Sequence, residues 1–193
     1  MAKSMTKAAQ SAASTISRKG PLDGRSASGT GVTVALAAPA HRMSLRAPEA
    51  GVAALSKALG VTLPLKPKTS AEKAGRAALW LGPDEWLVID QAGNDPVAAR
   101  AGVKTFHSAV DVSHRNVGIL VSGPGAEATI SAGCPQDLSI GVFPVGACSR
   151  TVLGKIEIVV WRTGETEFRV ECWRSFSDYA FAFLADAARD AAA

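Results

Sequence analysis

The chain has 193 residues, 47% of them apolar and 20% charged, with a formal net charge of +4. That length allows one substantial core or two small half-domains, and the composition is that of a globular protein rather than a disordered one. No run approaches the roughly 18 apolar residues that a membrane-spanning helix needs, so no membrane is expected as a partner.

Residues 1–46 hold seven basic groups (Lys3, Lys7, Arg18, Lys19, Arg25, Arg42, Arg46) and one acid, Asp23, while the other 147 residues carry 14 basic and 16 acidic groups. Nucleic-acid binders carry their basic patch on the folded surface. Here the excess sits in a tail, so nucleic acid is not an expected partner either. Residues 1–40 are rich in Ala, Ser, Thr, Gly and Lys without a sustained hydrophobic period, and read as a flexible basic arm. Within it, Val32–Ala40 faintly resembles a secretory apolar segment but is short and broken by Thr33. An extended arm lying along a partner is the better reading, ahead of an organellar transit peptide.

Order is expected from His41. Met43 and Leu45 alternate with polar neighbours, as in a strand. Pro48-Glu49 opens a helix whose Val52, Leu55 and Leu59 form one apolar stripe, and Gly60 ends it. The linker Pro64–Gly75 is read as a surface crossing. Ala78–Leu81 and Trp86–Ile89 flank the turn Gly82–Glu85 as a hairpin. Asp95-Pro96 starts a short helix to Ala101, and Thr105–Val112 returns as a strand.

The stretch Asp111–Pro135 is the middle of the folded region. Val117, Ile119 and Val121 share one face of a strand, Gly123-Pro124 opens a helix, and Gly133 closes it. Strands then run over Arg150–Leu153, Ile156–Arg162 and Glu167–Trp173. Ser175–Asp178 has capping-box spacing, ahead of a helix with Phe176, Ala180, Phe183 and Ala187 on one face. The two halves, 41–113 and 114–193, therefore look like pseudo-repeats of β-α-β-β-α order. That is an α+β fold with mainly antiparallel sheets.

Reactive groups are sparse. His107 and Asp111 could act as an acid–base unit, but they are about 13 Å apart along a strand at about 3.3 Å per residue, so surface or hydrogen-bonded histidines are the expected reading. His41, His107 and His114 lack a metal-binding spacing. Cys134, Cys148 and Cys172 contain no Cys-x-x-Cys. They fit a reducing cytoplasm and a role as small buried hydrophobes. Gly123–Gly125 and Gly141–Gly146 match no nucleotide-binding loop. No catalytic, cofactor-binding or metal-binding residue is assigned. What stands out is a strand apolar on both faces: Val159 and Trp161 oppose Ile156, Ile158 and Val160. Either another layer of this chain covers Trp161 and Trp173, or a partner does. The adjacent Arg162 and Arg174 fit an interface, where aromatic and arginine side chains are enriched.

Together, Trp80–Leu87, Asp111–Arg115, Gly123-Pro124, Gly133–Leu138, Phe143–Gly146, Arg150-Thr151 with Gly154-Lys155, and Glu171–Phe176 resemble the gamma subunit of heterotetrameric sarcosine oxidase. The resemblance runs from about residue 41 to the end. It implies a complex of alpha, beta, gamma and delta subunits that oxidatively demethylates sarcosine to glycine. The one-carbon unit passes to tetrahydrofolate or leaves as formaldehyde, with H2O2 as the reduced product of oxygen. It also implies that FAD, FMN, NAD, zinc and tetrahydrofolate are held by other subunits, and that gamma, itself cofactor-free, packs chiefly on the folate domain of alpha. The implied fold is similar to the folate-binding domain of glycine-cleavage aminomethyltransferases. Those enzymes place acidic residues after a Gly-Gly-Ile-like turn, whereas Gly154–Val159 offers only Glu157, and no further C-terminal barrel follows. A structural subunit is thus expected. The alternatives are a stand-alone folate-dependent aminomethyl or methyl transferase and a non-enzymatic folate-binding module.

Overall fold

A computed structural model describes residues 20–191. Its N-terminal part departs from the expected arm. Strands β1 (Ser26–Gly29) and β2 (Val32–Leu36) form an antiparallel hairpin within the stretch expected to be an arm. Gly31 makes the turn with φ 74°, a conformation glycine adopts without cost. The alternation Val32-Thr33-Val34 is a strand pattern, and both valines are buried together with Leu22. The arm does lie extended along a sheet, but the sheet is this chain's own. The first 19 residues of the expected arm lie outside the described residues.

Next come β3 (His41–Arg46), α1 (Glu49–Leu59), β4 (Ser70–Lys73), β5 (Arg76–Gly82), β6 (Glu85–Asp90), α2 (Pro96–Ala99) and β7 (Ser108–Asp111). Pro48, in extended backbone, precedes α1, and Gly60 ends it in the left-handed region at φ 69°, its N–H bonding Lys57 O. Val52, Leu55 and Leu59 are buried on one face, as their spacing predicts. Strand β4 corrects the linker reading. It is polar and hidden from hydrophobic periodicity, but it pairs fully with β5.

The second set is β8 (Asn116–Ser122), α3 (Ala126–Ser131), β9 (Cys148–Leu153), β10 (Ile156–Gly164), β11 (Glu167–Trp173) and α4 (Ser177–Asp190). Ahead of α4, a 3-10 turn over Arg174–Phe176 replaces the expected capping box, and Ser177 Oγ donates to Arg174 O at 2.8 Å. Ala180 and Ala187 are buried as expected, together with Phe181, Leu184, Ala185 and Ala188, while Phe183 is half-buried against the core and Phe176 is exposed.

All strand pairs are antiparallel, in a six-stranded sheet ordered β1-β2-β8-β11-β10-β9 and a five-stranded sheet ordered β4-β5-β6-β3-β7. Each sheet contains the same path. A strand leads into a helix, and three further strands return so that the last pairs with the first (β3-β6-β5-β4 and β8-β11-β10-β9). Helices α1 and α2 cover the outer face of the five-stranded sheet around Met43, Leu45, Trp86 and Val88. Helices α3 and α4 cover the outer face of the other around Ile119, Val121, Ile158, Val160 and Phe168. Between the sheets lies a third apolar cluster, with Leu79, Leu87 and Ile89 meeting Cys148, Val159 and Trp161. This seam is why β10 is apolar on both faces. Each face packs on a different layer of the same chain.

Candidate functional site: the seam between the sheets

Strand alternation puts Phe168, Val170 and Cys172 on the outer core face of β11, and so puts Arg169 and Glu171 into the seam. There Glu171 meets Arg42 of β3. Arg42 Nε donates to Glu171 Oε2 at 2.6 Å and Arg42 Nη2 to Oε1 at 3.1 Å, a paired geometry. Arg169 Nε donates to the same Oε1 at 2.8 Å, and its Nη1 to Gln91 Oε1 at 3.0 Å. The third Arg42 nitrogen donates to Ala40 O at 3.0 Å. All three charged side chains are nearly inaccessible to solvent. Such a cluster is costly to bury and is held by its shared hydrogen bonds, with only Arg169 Nη2 of the three side chains left buried without a partner. Gly118, opposite Glu171 on β8, makes the space. A Cβ there would lie 2.7 Å from Glu171 Oε1 and 2.9 Å from Arg169 Nη2.

At the rim of the seam the binding is ionic and more exposed. Glu85 of β6 receives Arg150 of β9 at 2.5 Å and Arg46 of β3 at 2.8 Å. The Arg150 hydrogen bond, with Arg46 adding its charge, holds the Glu85 carboxyl below its ordinary range despite partial burial. A narrow cleft of about 40 Å³ opens beside this rim, bordered by Ser44, Glu85, Arg115, Asn116, Arg150 and Trp173.

The residues considered for chemistry separate into distinct places. His107 points away from Asp111: its Nδ1 meets Thr105 O at 2.6 Å and its Nε2 faces Arg100. Asp111 instead shares a surface hollow of about 460 Å³ with His41, His114, Ser113 and Gln91. Its carboxyl is lowered chiefly by hydrogen bonds from Ser113, with small contributions from the two histidines. Sequence separation hid this grouping, because His41 reaches it through the β3–β7 pairing. Among the described residues, no group of three or more His, Cys, Asp or Glu is placed to hold a metal. The three thiols are free and buried. Burial pushes Cys148 and Cys172 up to about 12, with the Glu171 charge adding to the shift at Cys172. Both are therefore protonated and unreactive at neutral pH.

The four residues read as interface candidates divide in two. Trp161 and Arg162 are 4% and 1% exposed, so neither is offered to a partner. Trp161 fills the seam. Arg162 lies 4.2 Å over the Phe168 ring and donates to Glu127 Oε2 at 2.8 Å and to the carbonyls of Leu138 and Glu165. It fastens α3 and two loops to β10. Trp173 and Arg174 are exposed. The Trp173 ring stacks on Phe176 with centroids 5.9 Å apart, and Arg115 lies 5.2 Å from its centre. An exposed aromatic pair braced by an arginine is the composition of an interface anchor.

Residues 45–190 match the model of the sarcosine oxidase, gamma subunit family. The chain belongs to that family. Sarcosine oxidase gamma subunits from Arthrobacter sp. and Corynebacterium sp. (strain U-96) are 37% and 33% identical to it, over 72% and 71% of this chain and 70% and 68% of theirs. A chain in the structure of the heterotetrameric sarcosine oxidase from Corynebacterium sp. U-96 in complex with pyrrole 2-carboxylate superposes with TM-score 0.81 and 31% identity. That match covers 87% of this chain and 89% of that one. Aminomethyltransferase T of the glycine cleavage system from Bartonella henselae shares the fold at TM-score 0.59 and 14% identity, over 84% of this chain and 50% of that one. The α+β reading and the gamma-subunit resemblance are both borne out by these matches. Among the described residues of this family member, no helix is long and apolar enough to cross a membrane.

Proposed function

We propose that this chain, as a gamma subunit of a heterotetrameric sarcosine oxidase, works by docking rather than by catalysis and holds no cofactor of its own. The observation that carries this reading is the use of its charged groups. Arg42, Arg169 and Glu171, the most deeply placed ionic side chains near the seam, are consumed in holding two sheets together. The exposed Trp173–Phe176 pair supplies an anchor instead. On this reading the complex oxidatively demethylates sarcosine to glycine. The alpha, beta and delta subunits carry FAD, FMN, NAD, zinc and tetrahydrofolate, and the folate domain of alpha is the chief neighbour of this chain. The free thiols favour a cytoplasmic setting. We also read 41–113 and 114–193 as pseudo-repeats, on their shared strand order.

The test is to purify the chain alone and titrate it with tetrahydrofolate and with sarcosine, then to co-express it with the other subunits. The expected outcome is no binding or turnover alone and co-elution in the complex. Turnover of either compound by the isolated chain would falsify the docking role.

A further inference from the structure

We propose that the outer edge of β7 receives an extended strand from another subunit, a segment of alternating apolar residues that also carries acidic side chains. This rests on the docking role above and gives the partner its chemistry.

The two sheets differ at one place. Beside β8, the hairpin partner β2 is followed by β1, and α4 packs so closely on β1 that a Cβ at Gly29 would run into Ala188 O. Beside β3, the matching position is held by β7, and no strand lies beyond it among the described residues. The direction of the β7 amides follows from the ladder. Val112 N–H donates to Arg42 O at 2.9 Å, and Val110 and Ser108 stand opposite Ser44 and Arg46. Antiparallel alternation then turns the amides of Ala109 and Asp111 outward, away from β3.

The side chains around this edge are those of an interface. Phe106 is 85% exposed and Val110 54%. Val110 lies opposite Ser44, which borders the same cleft as Trp173, so the edge and the aromatic pair belong to one side of the molecule. The edge carries no proline and no bulge, and only its length of four residues and the exposed Asp111 at its end blunt it. Its approach is also basic. Arg100 and Lys104 lie between Asp95 and Asp111, and no acidic residue intervenes. A strand added there gains main-chain hydrogen bonds from the edge, an apolar contact from Phe106, and charge pairing from Arg100 and Lys104.

The test compares amide hydrogen exchange over residues 104–112 in the free chain and in the co-expressed complex. Exchange at Ala109 and Asp111 should slow by about tenfold or more on assembly. Ala109→Pro removes an outward donor without breaking a β3 bond, and should weaken co-elution about tenfold. Phe106→Ala, at a residue too exposed to support the fold, should weaken it in the same direction. Unchanged exchange in a complex that retains the chain would overturn the strand-docking inference and leave the docking role standing. A chain that never joins the complex would sink both.

Discussion

Arg42 Nε lies 2.6 Å from Glu171 Oε2, joining residues 129 positions apart in a seam closed to solvent. One residue belongs to the five-stranded sheet and the other to the six-stranded sheet, so this contact fixes how the halves sit on each other. Breaking a buried pair costs more than the pair's net worth, because the remaining charge is left without a partner. Glu171→Gln would leave Arg42 and Arg169 facing each other without a counter-charge. The expected loss is about 3–5 kcal/mol of unfolding free energy, read by urea denaturation of the isolated chain. A loss below about 1 kcal/mol would show that the seam does not depend on this cluster.

Gly118 offers a second probe of the same place. Its missing side chain leaves room for Glu171 Oε1 and Arg169 Nη2, and the nearest apolar atom, Ala37 Cβ, would lie 3.0 Å from an added Cβ. Gly118→Ala should cost about 1–3 kcal/mol by pushing the charged tips off their partners. Gly141, where an added Cβ meets nothing within 4 Å, is the control, and Gly141→Ala should leave the urea midpoint nearly unchanged. Equal effects at both positions would refute the close-approach argument.

How much of this was legible in the sequence depends on what each signal measures. Pro48, Gly60 and the stripe Val52, Leu55, Leu59 define a helix locally, and α1 appears with those bounds. The doubly apolar β10 correctly announced a second covering layer, but periodicity cannot say whose layer it is. Trp161 proved to be covered by this chain and Trp173 remained exposed. Strands β1 and β4 were missed because small or polar residues carry them, whereas β2 shows alternation but was absorbed into the arm, and its pairing with β8, distant in sequence, is what fixes it in a sheet. The Arg42–Glu171–Arg169 cluster was invisible for the same reason. Alternation placed Arg169 and Glu171 on one face of β11, but nothing local places Arg42 opposite them.

Acid should loosen the rim of the seam. Arg150, with Arg46, holds the Glu85 carboxyl below the ordinary carboxylate value of 4.5. A group with a depressed folded-state pKa contributes stability that is present above its unfolded value and is lost as pH falls through the folded value. Stability of the isolated chain should therefore decline from about pH 4.5 downward, and Glu85→Gln should flatten that part of the decline while lowering stability at pH 7. The measurement is thermal unfolding across pH 3–7 for both proteins. Parallel profiles would show that Glu85 does not drive the acid transition.

Trp161 and Trp173 lie on neighbouring strands of one sheet, and the structure gives them opposite assignments. Trp161 is 4% exposed within the seam, so Trp161→Ala should open a cavity and cost about 3–5 kcal/mol in the isolated chain. Trp173 is 43% exposed, stacked on Phe176 and flanked by Arg115. Trp173→Ala should change isolated stability by less than about 1 kcal/mol and weaken association with the partner subunits by about 2 kcal/mol or more. Denaturation of each variant alone, set beside its co-elution with the other subunits, separates the two roles. If Trp173→Ala assembles as well as the parent chain, the exposed aromatic pair is not the anchor, whatever its composition.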